Sequence, residues 1–278
     1  MNPQKLPFVK LHGCANDYVL VDAAAHPVAD PAALARASAD RRTGVGADGL
    51  LLVLPPADRA RAEARMRMFN PDGGEAEMCG NGLRCLGKFL FDRQRVGREF
   101  RVETLAGVCA MRVEATAADG RARELSVEIG VPDFFRGPAL DEPFELAGRA
   151  LRLSALRLGN PHAIVFVDDV DHFPVTSVGP AIERDPRFPE RVNVSFVQPT
   201  GPDALRQRTW ERGVGETLAC GSGATAAAIV ARRVRGFGPD VAVRVRGGEL
   251  SVHWDGEGKP ARLRGPAVEV FEGVLDVE

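Results

Sequence analysis

The sequence predicts an α+β protein of two structurally similar halves related by a pseudo-two-fold, each a mostly antiparallel sheet wrapped around a central helix, with the active site in the cleft between them. Three observations predict it. The chain carries an internal repeat; each copy lies between a strand-like and a helix-like segment; and the regular strand–helix alternation of a doubly wound parallel sheet is missing. The halves are placed at residues 1–132, carrying Cys79, and 133–278, carrying Cys220, with the chain end free to return to the first half.

The repeat is short and specific. Gly74-Glu75 leads after three residues to Cys79-Gly80-x-Gly82, and Gly215-Glu216 leads after three residues to Cys220-Gly221-x-Gly223. A weaker pair has nearly the same offset: Asn16 precedes Val19 to Asp22, and Asn160 precedes Ile164 to Asp168. Arg65 to Phe69 and Ala204 to Trp210 read as the strands before each cysteine. Behind the first cysteine Leu83, Leu86, Phe89 and Leu90 recur at helical spacing, and behind the second Ala224 to Arg233 is rich in alanine, the strongest helix former. Glu124 to Gly130, Val192 to Val197, Val241 to Val245 and Leu250 to Trp254 are further β-branched runs bounded by turns.

Composition narrows the function. A net charge of −2 and a pI near 6.3 leave no broad basic field for nucleic acid or an anionic membrane. The first residues, MNPQKLPFVKLHG, lack the apolar core of a signal peptide, and the runs Leu50 to Leu54 and Ala224 to Ala231 are too short to span a bilayer. Five cysteines, an odd number in a chain of this size, suit a reducing compartment, so the expectation is a cytoplasmic protein whose thiols react or pack rather than cross-link.

A cysteine at a helix start has a defined electrostatic setting. The first turn offers unpaired N–H groups and the positive end of the helix dipole, which favour a thiolate; a thiol pKa of about 8.5 falls to roughly 3.5 to 7.5 in such places. The same N–H groups, approached closely past glycine, can hold a carboxylate. Two such elements meeting at one substrate carbon would let one thiolate remove an α-proton while the other thiol protonates the opposite face, the action of a two-base racemase or epimerase on an amino acid. A thiolate is a weak base for that proton, so N–H groups around Gly80, Asn81, Gly221 and Ser222 must stabilise the growing charge, each donor contributing about 2.7 to 4 kcal/mol. The two sulfurs then titrate as a coupled pair.

Six ordered stretches, GCANDYVLVD, TGVGADG, FNPDGGEAEMCGNGLRC, GNPHAIVFVDD, RVNVSFV and WERGVGETLACGSGA, resemble the diaminopimelate epimerase family over nearly the whole chain. The resemblance implies a two-domain α+β fold, no cofactor, a homodimer, and a place in lysine and peptidoglycan-precursor synthesis. It implies Cys79 and Cys220 as acid and base, with Gly80, Asn81, Gly221 and Ser222 around the reacting carboxylate. Asn16, Asn70, Asn160, Asn193, Glu211 and Arg212 would hold the substrate's polar groups, and His162 and Glu211 would assist proton movement. Two positions depart from the pattern: Gly49 stands where many relatives carry glutamine, and Cys14-Ala15 precedes Asn16 where a glycine commonly does.

Other readings are weaker. Cys14, Cys85 and Cys109 read as small buried hydrophobes. Cys79 and Cys85 lie on different helix faces and have no second His or Cys pair to complete a metal site. Glu75 and Glu216 read as supports for the turn before each motif. A proline or hydroxyproline racemase would share the thiols, but typically has histidine where Asn81 stands and Ser-Pro where Leu218-Ala219 stands. A thiol–disulfide redox protein would leave the carboxylate nests unexplained and lacks a Cys-x-x-Cys. A non-catalytic amino-acid binder would keep its affinity without either sulfur. Pyridoxal-phosphate chemistry needs a Schiff-base lysine, and Lys5, Lys10, Lys88 and Lys259 lie in no matching motif.

Overall fold

Tyr18 and Leu20 point to one side of their strand, Val19 and Val21 to the other, and all four are fully buried, so the strand lies between two apolar layers. This sandwiching recurs and sets the architecture. In the computed structural model, which describes residues 4–134, 140–146 and 148–277, the chain divides into two units: Met1–Val127 with Gly265–Glu278, and Glu128–Arg264.

The first unit runs β1 (Gln4–Gly13), β2 (Asn16–Asp22), α1 (Pro31–Ala39), β3 (Gly49–Leu54), β4 (Ala64–Phe69), β5 (Glu75–Ala76), α2 (Gly80–Asp92), β6 (Glu99–Thr104), β7 (Gly107–Thr116) and β8 (Ala122–Gly130). The last strand of the chain, β18 (Val268–Val277), pairs antiparallel with β1. Most neighbours are antiparallel; β2–β3 and β4–β6 are parallel, their crossovers carrying α1 and α2. Asp30 caps α1 by accepting from Ala33 N at 2.9 Å, and Pro31 begins the helix where its missing N–H costs nothing. One sheet face packs on α1 through Val19, Val21, Leu34, Ala35, Leu50 and Leu52. The other curls around α2, whose residues from Gly80 to Leu90 are all buried. A Cβ at Gly87 would stand 2.8 Å from Met111 Cε and 2.9 Å from Leu125 Cδ2, so only glycine lets the helix sit this deep.

The second unit contains β9 (Glu142–Leu146), β10 (Arg149–Leu158), β11 (Asn160–Phe166), α3 (Val175–Glu183), β12 (Asn193–Gly201), β13 (Ala204–Glu211), β14 (Gly215–Thr217), α4 (Gly221–Arg235), β15 (Asp240–Val245), β16 (Gly248–His253) and β17 (Ala261–Pro266). Its pairings repeat those of the first unit element for element. β11–β12 and β13–β15 are parallel, the remaining neighbours antiparallel, and β9 takes beside β10 the place that β18 takes beside β1. The α3 side holds a core of Val165, Val178, Ile182, Val194 and Phe196. The other side surrounds α4, buried from Gly223 to Ala231; its alanines let the sheet close tightly, and Gly236, at φ 70°, ends it in the left-handed cap that glycine favours. The fold is thus α+β, each unit a mostly antiparallel sheet around one principal helix. Among the described residues no helix is long and apolar enough to cross a membrane.

Candidate active site

Each unit brings its cysteine to a helix start by the same local path. In the first, β4 turns into β5, and Arg67 spans the hairpin with a two-point bond to Glu75, 2.7 Å at each oxygen. In the second, Arg208 spans β13–β14 to Glu216 at 2.7 and 3.0 Å. These planar pairs support the turn before each cysteine, the role expected of Glu75 and Glu216. The offset that carries Cys79 onto Cys220 also carries Arg67 onto Arg208 and Phe69 onto Trp210, a signal present in the sequence beyond the cysteine motif itself.

Cys79 is the N-cap of α2, its backbone extended at φ −142°, and its Sγ accepts the Gly82 N–H at 3.4 Å. Above it stands Tyr18, fully buried, with its hydroxyl 3.0 Å from Sγ and hydrogen-bonded to Asn16 Oδ1. Asn81 Nδ2 donates to the same Asn16 oxygen at 3.1 Å, and Arg84 Nη2 donates to Asn81 Oδ1 at 2.8 Å. Asn16 Nδ2 donates to Asp48 Oδ2 at 2.8 Å. Asp48 and Asp17 share Arg41, and Lys10 completes the cluster against Asp17 at 2.6 Å. Burial raises the Asp17 carboxyl, but the bonds from Arg41 and Lys10 outweigh it and hold the group at about 2. Asn16, Asn81 and Cys79 are therefore one assembly. Asn70 follows β4 and closes the hairpin through its backbone, with N–H to Gly74 O at 2.8 Å and its carbonyl accepting from Gly73 N at 2.9 Å.

Cys220 is the N-cap of α4, but it makes no side-chain cap bond. It is 4% exposed, and its thiol is pushed well above the ordinary value by burial and then by the negative charge of Glu211; the Gly223 N–H and Ser222 pull weakly the other way. Here burial and a neighbouring carboxylate favour the thiol, where a helix start taken by itself favours a thiolate. Ser222 Oγ lies 3.8 Å from Cys220 Sγ, and Glu211 Oε1 accepts from Thr217 Oγ1 at 2.5 Å. A Cβ at Gly223 would stand 2.9 Å from Ser195 Oγ and 3.2 Å from Cys220 Sγ, so the helix start sits directly on β12.

Asn160 and Asn193 begin β11 and β12, and His162 lies opposite Asn193 in their parallel register. Asn193 donates to Pro161 O at 3.3 Å and accepts the Arg212 N–H at 2.9 Å; the Arg212 guanidinium turns to Glu190 O at 3.0 Å. Glu211 and Arg212, neighbours in sequence, thus serve different partners. His162 is fully buried, and among the described residues neither ring nitrogen has a hydrogen-bond partner. Burial, with the Arg212 charge adding to it, lowers its pKa to about 3, so the ring is neutral near pH 7. Cys14 and Cys85 are buried as expected, whereas Cys109 on β7 is partly exposed. Gly49 lies opposite Tyr18 in the β2–β3 register, and a Cβ there would stand 2.8 Å from Phe69 O, so the backbone as it runs here leaves no room for a side chain.

The fold defines a class, the two-domain α+β proteins with one principal helix in each unit. It is shared by a hydroxyproline epimerase from Agrobacterium vitis with bound trans-4-hydroxy-L-proline (TM-score 0.73, 19% identity, 99% of this chain and 94% of that one). A PhzF-family phenazine biosynthesis protein from Bacillus anthracis shares it too (TM-score 0.72, 18% identity, 99% and 100%). A diaminopimelate epimerase family profile matches residues 8–134 and 154–270. Relatives bearing that name include those of Pelotomaculum thermopropionicum (46% identity, 96% of this chain and 97% of the relative), Alkalilimnicola ehrlichii (45%, 99% and 100%) and Moorella thermoacetica (44%, 96% and 98%). The chain belongs to the diaminopimelate epimerase family.

Proposed function

We propose that this protein interconverts LL- and meso-diaminopimelate without a cofactor, Cys79 and Cys220 serving opposite faces of one α-carbon. One sulfur, as thiolate, takes the α-proton; the other, as thiol, gives its proton to the opposite face. Each turnover leaves the two protonation states exchanged. The observation that supports this reading is a cysteine placed at the start of a buried helix by the same strand–hairpin path in both units, in a member of this family.

The first-turn N–H groups at Gly80, Asn81, Gly221 and Ser222 are assigned to the reacting carboxylate. Asn81 serves by its backbone, since its side chain is committed to Asn16 and Arg84. Asn16, Asn70, Asn160, Asn193, Glu211 and Arg212 are assigned to the remaining charged ends of the substrate. His162, neutral and buried, and Glu211, beside Cys220, are assigned to proton movement. The proposal extends to a cytoplasmic homodimer acting in lysine and peptidoglycan-precursor synthesis; the exposed Val268, Val270, Phe271 and Val274 on β18 offer an apolar strand for a second copy.

Incubating the reduced protein with LL-diaminopimelate and, separately, L-proline in D2O tests the reading. Deuterium should enter the α-position of the first with formation of the meso product, and leave the second unlabelled. Cys79→Ala and Cys220→Ala should each abolish inversion; full turnover in either overturns the paired-thiol mechanism, and turnover of proline instead overturns the substrate.

A further inference from the structure

We infer that the Tyr18 hydroxyl is a positioning group for Cys79 that turns between two hydrogen-bond acceptors, donating to Asn16 Oδ1 when Cys79 is a thiol and to Sγ when it is a thiolate. The inference deepens the proposed reaction and rests on Cys79 being one of its two proton carriers.

The direction of every bond in the assembly is fixed by its ends. Arg84 can only donate, so the Asn81 atom it touches is the amide oxygen, and Asn81 presents its NH2 to Asn16. Asp48 can only accept through its carboxylate, so Asn16 presents its NH2 there and its oxygen to Asn81 and Tyr18. A phenol has one proton and oxygen lone pairs. With that proton on Asn16, the lone pairs face Sγ at 3.0 Å and accept the S–H of a protonated Cys79. When the thiol gives its proton away, rotation about the phenol C–O bond alone brings the hydroxyl proton onto the sulfur anion. Asn16 Oδ1 keeps the Asn81 N–H meanwhile. No heavy atom moves and neither state of Cys79 loses its partner.

This suits a sulfur that must act as acid in one direction and base in the other. A fixed donor would hold Cys79 as thiolate, and a fixed acceptor would hold it as thiol, the state that burial together with the Glu211 charge favours at Cys220. A hydroxyl can do both. Its site is built for it: Tyr18 is fully buried, and Gly49 opposite it brings no side chain between ring and sheet. The charged side chains bonded into or beside this assembly are Lys10 on β1, Asp17 on β2, Asp48 before β3, Arg67 and Glu75 on β4 and β5, and Arg84 on α2, all engaged in the bonds already described; Lys88 and Asp92 on α2 pair with each other at 2.7 Å. Cys85, whose charge would bear on Cys79, is pushed up to about 12 by burial, and burial also raises Cys14, so both stay neutral thiols near pH 7.

Tyr18 is the chain's sole tyrosine, so biosynthetic 3-fluorotyrosine gives a single 19F resonance from this ring. In the substrate-free protein that resonance should titrate in one step whose midpoint equals the one obtained for Cys79 from iodoacetamide alkylation read peptide by peptide, and Cys79→Ala should abolish the step. Tyr18→Phe, which keeps the ring in the core, should raise the Cys79 midpoint by about one unit and slow its alkylation near pH 7 by about tenfold. It should leave the Cys220 midpoint unchanged. A 19F signal indifferent to Cys79, or a Cys79 midpoint equal in Tyr18→Phe and the parent protein, overturns the inference. None of these readouts needs substrate, so a protein that failed to epimerise diaminopimelate but showed the coupled titration would fail the proposed function alone.

Discussion

Thr217 donates its hydroxyl proton to Glu211 across the β13–β14 hairpin, and the carboxylate so held is the charge that helps keep Cys220 protonated. Removing that negative charge stabilises the thiolate, so Glu211→Gln should lower the Cys220 midpoint in site-resolved alkylation while leaving Cys79 unchanged. Thr217→Val keeps the charge but frees its orientation. It should reduce kcat by about tenfold, the scale of one charge-assisted hydrogen bond, with a smaller effect on KM. A Glu211→Gln protein whose Cys220 titrated higher would show that the carboxylate does not bear on the sulfur.

His162 makes stability depend on acid. Its folded pKa is near 3, whereas an unfolded histidine titrates near about 6.5, so between those values the unfolded chain binds more protons than the folded one. The contribution is complete above the unfolded value and is lost as pH falls through the window. Urea unfolding at pH 7 and pH 5 should give a steeper loss in the parent than in His162→Gln, the slopes differing by at most about 1.4 kcal/mol per pH unit. Equal slopes would mean that the folded ring is protonated.

The turn before Asn16 holds two non-glycine residues in the left-handed region, Cys14 at φ 54° and Ala15 at φ 61°. Left-handed geometry costs an L-residue about 1–2 kcal/mol, partly offset for glycine by its greater freedom when unfolded. Ala15 is exposed, so Ala15→Gly removes strain without emptying the core. Thermal unfolding should shift upward by a few degrees, roughly 2–4 °C per kcal/mol for a chain of this size class. A downward shift would show that the turn carries no such strain.

What could be read in the sequence was local. The strand, hairpin, cysteine and helix of each unit lie within about thirty residues, close enough for spacing to reveal them, and Arg67 with Arg208 was legible by the same rule. Tyr18 carried a partial signal, since it lies two residues from Asn16 and therefore on the same strand face. Its meeting with Cys79 depended on how α2 is laid against β2. The state of Cys220 was hidden for a different reason. Its position at a helix start is written in the motif, but the burial and the carboxylate that reverse the expected ionisation exist only once β13, β14 and α4 have packed. Arg84 read as one more helix charge, and its burial against Gly80 O, Asn81 and Pro266 O comes only from the folded unit.

The pairing of β18 with β1 joins two strands some 250 residues apart in the chain. Without residues 268–277, β1 carries a bare row of N–H and C=O groups on its outer side and Phe8 lacks the Phe271 ring it meets edge-on. Such an edge recruits foreign strands. A chain lacking residues 268–277 should therefore be sticky and incompletely zipped, so that this one strand guards the open side of β1 against chance partners.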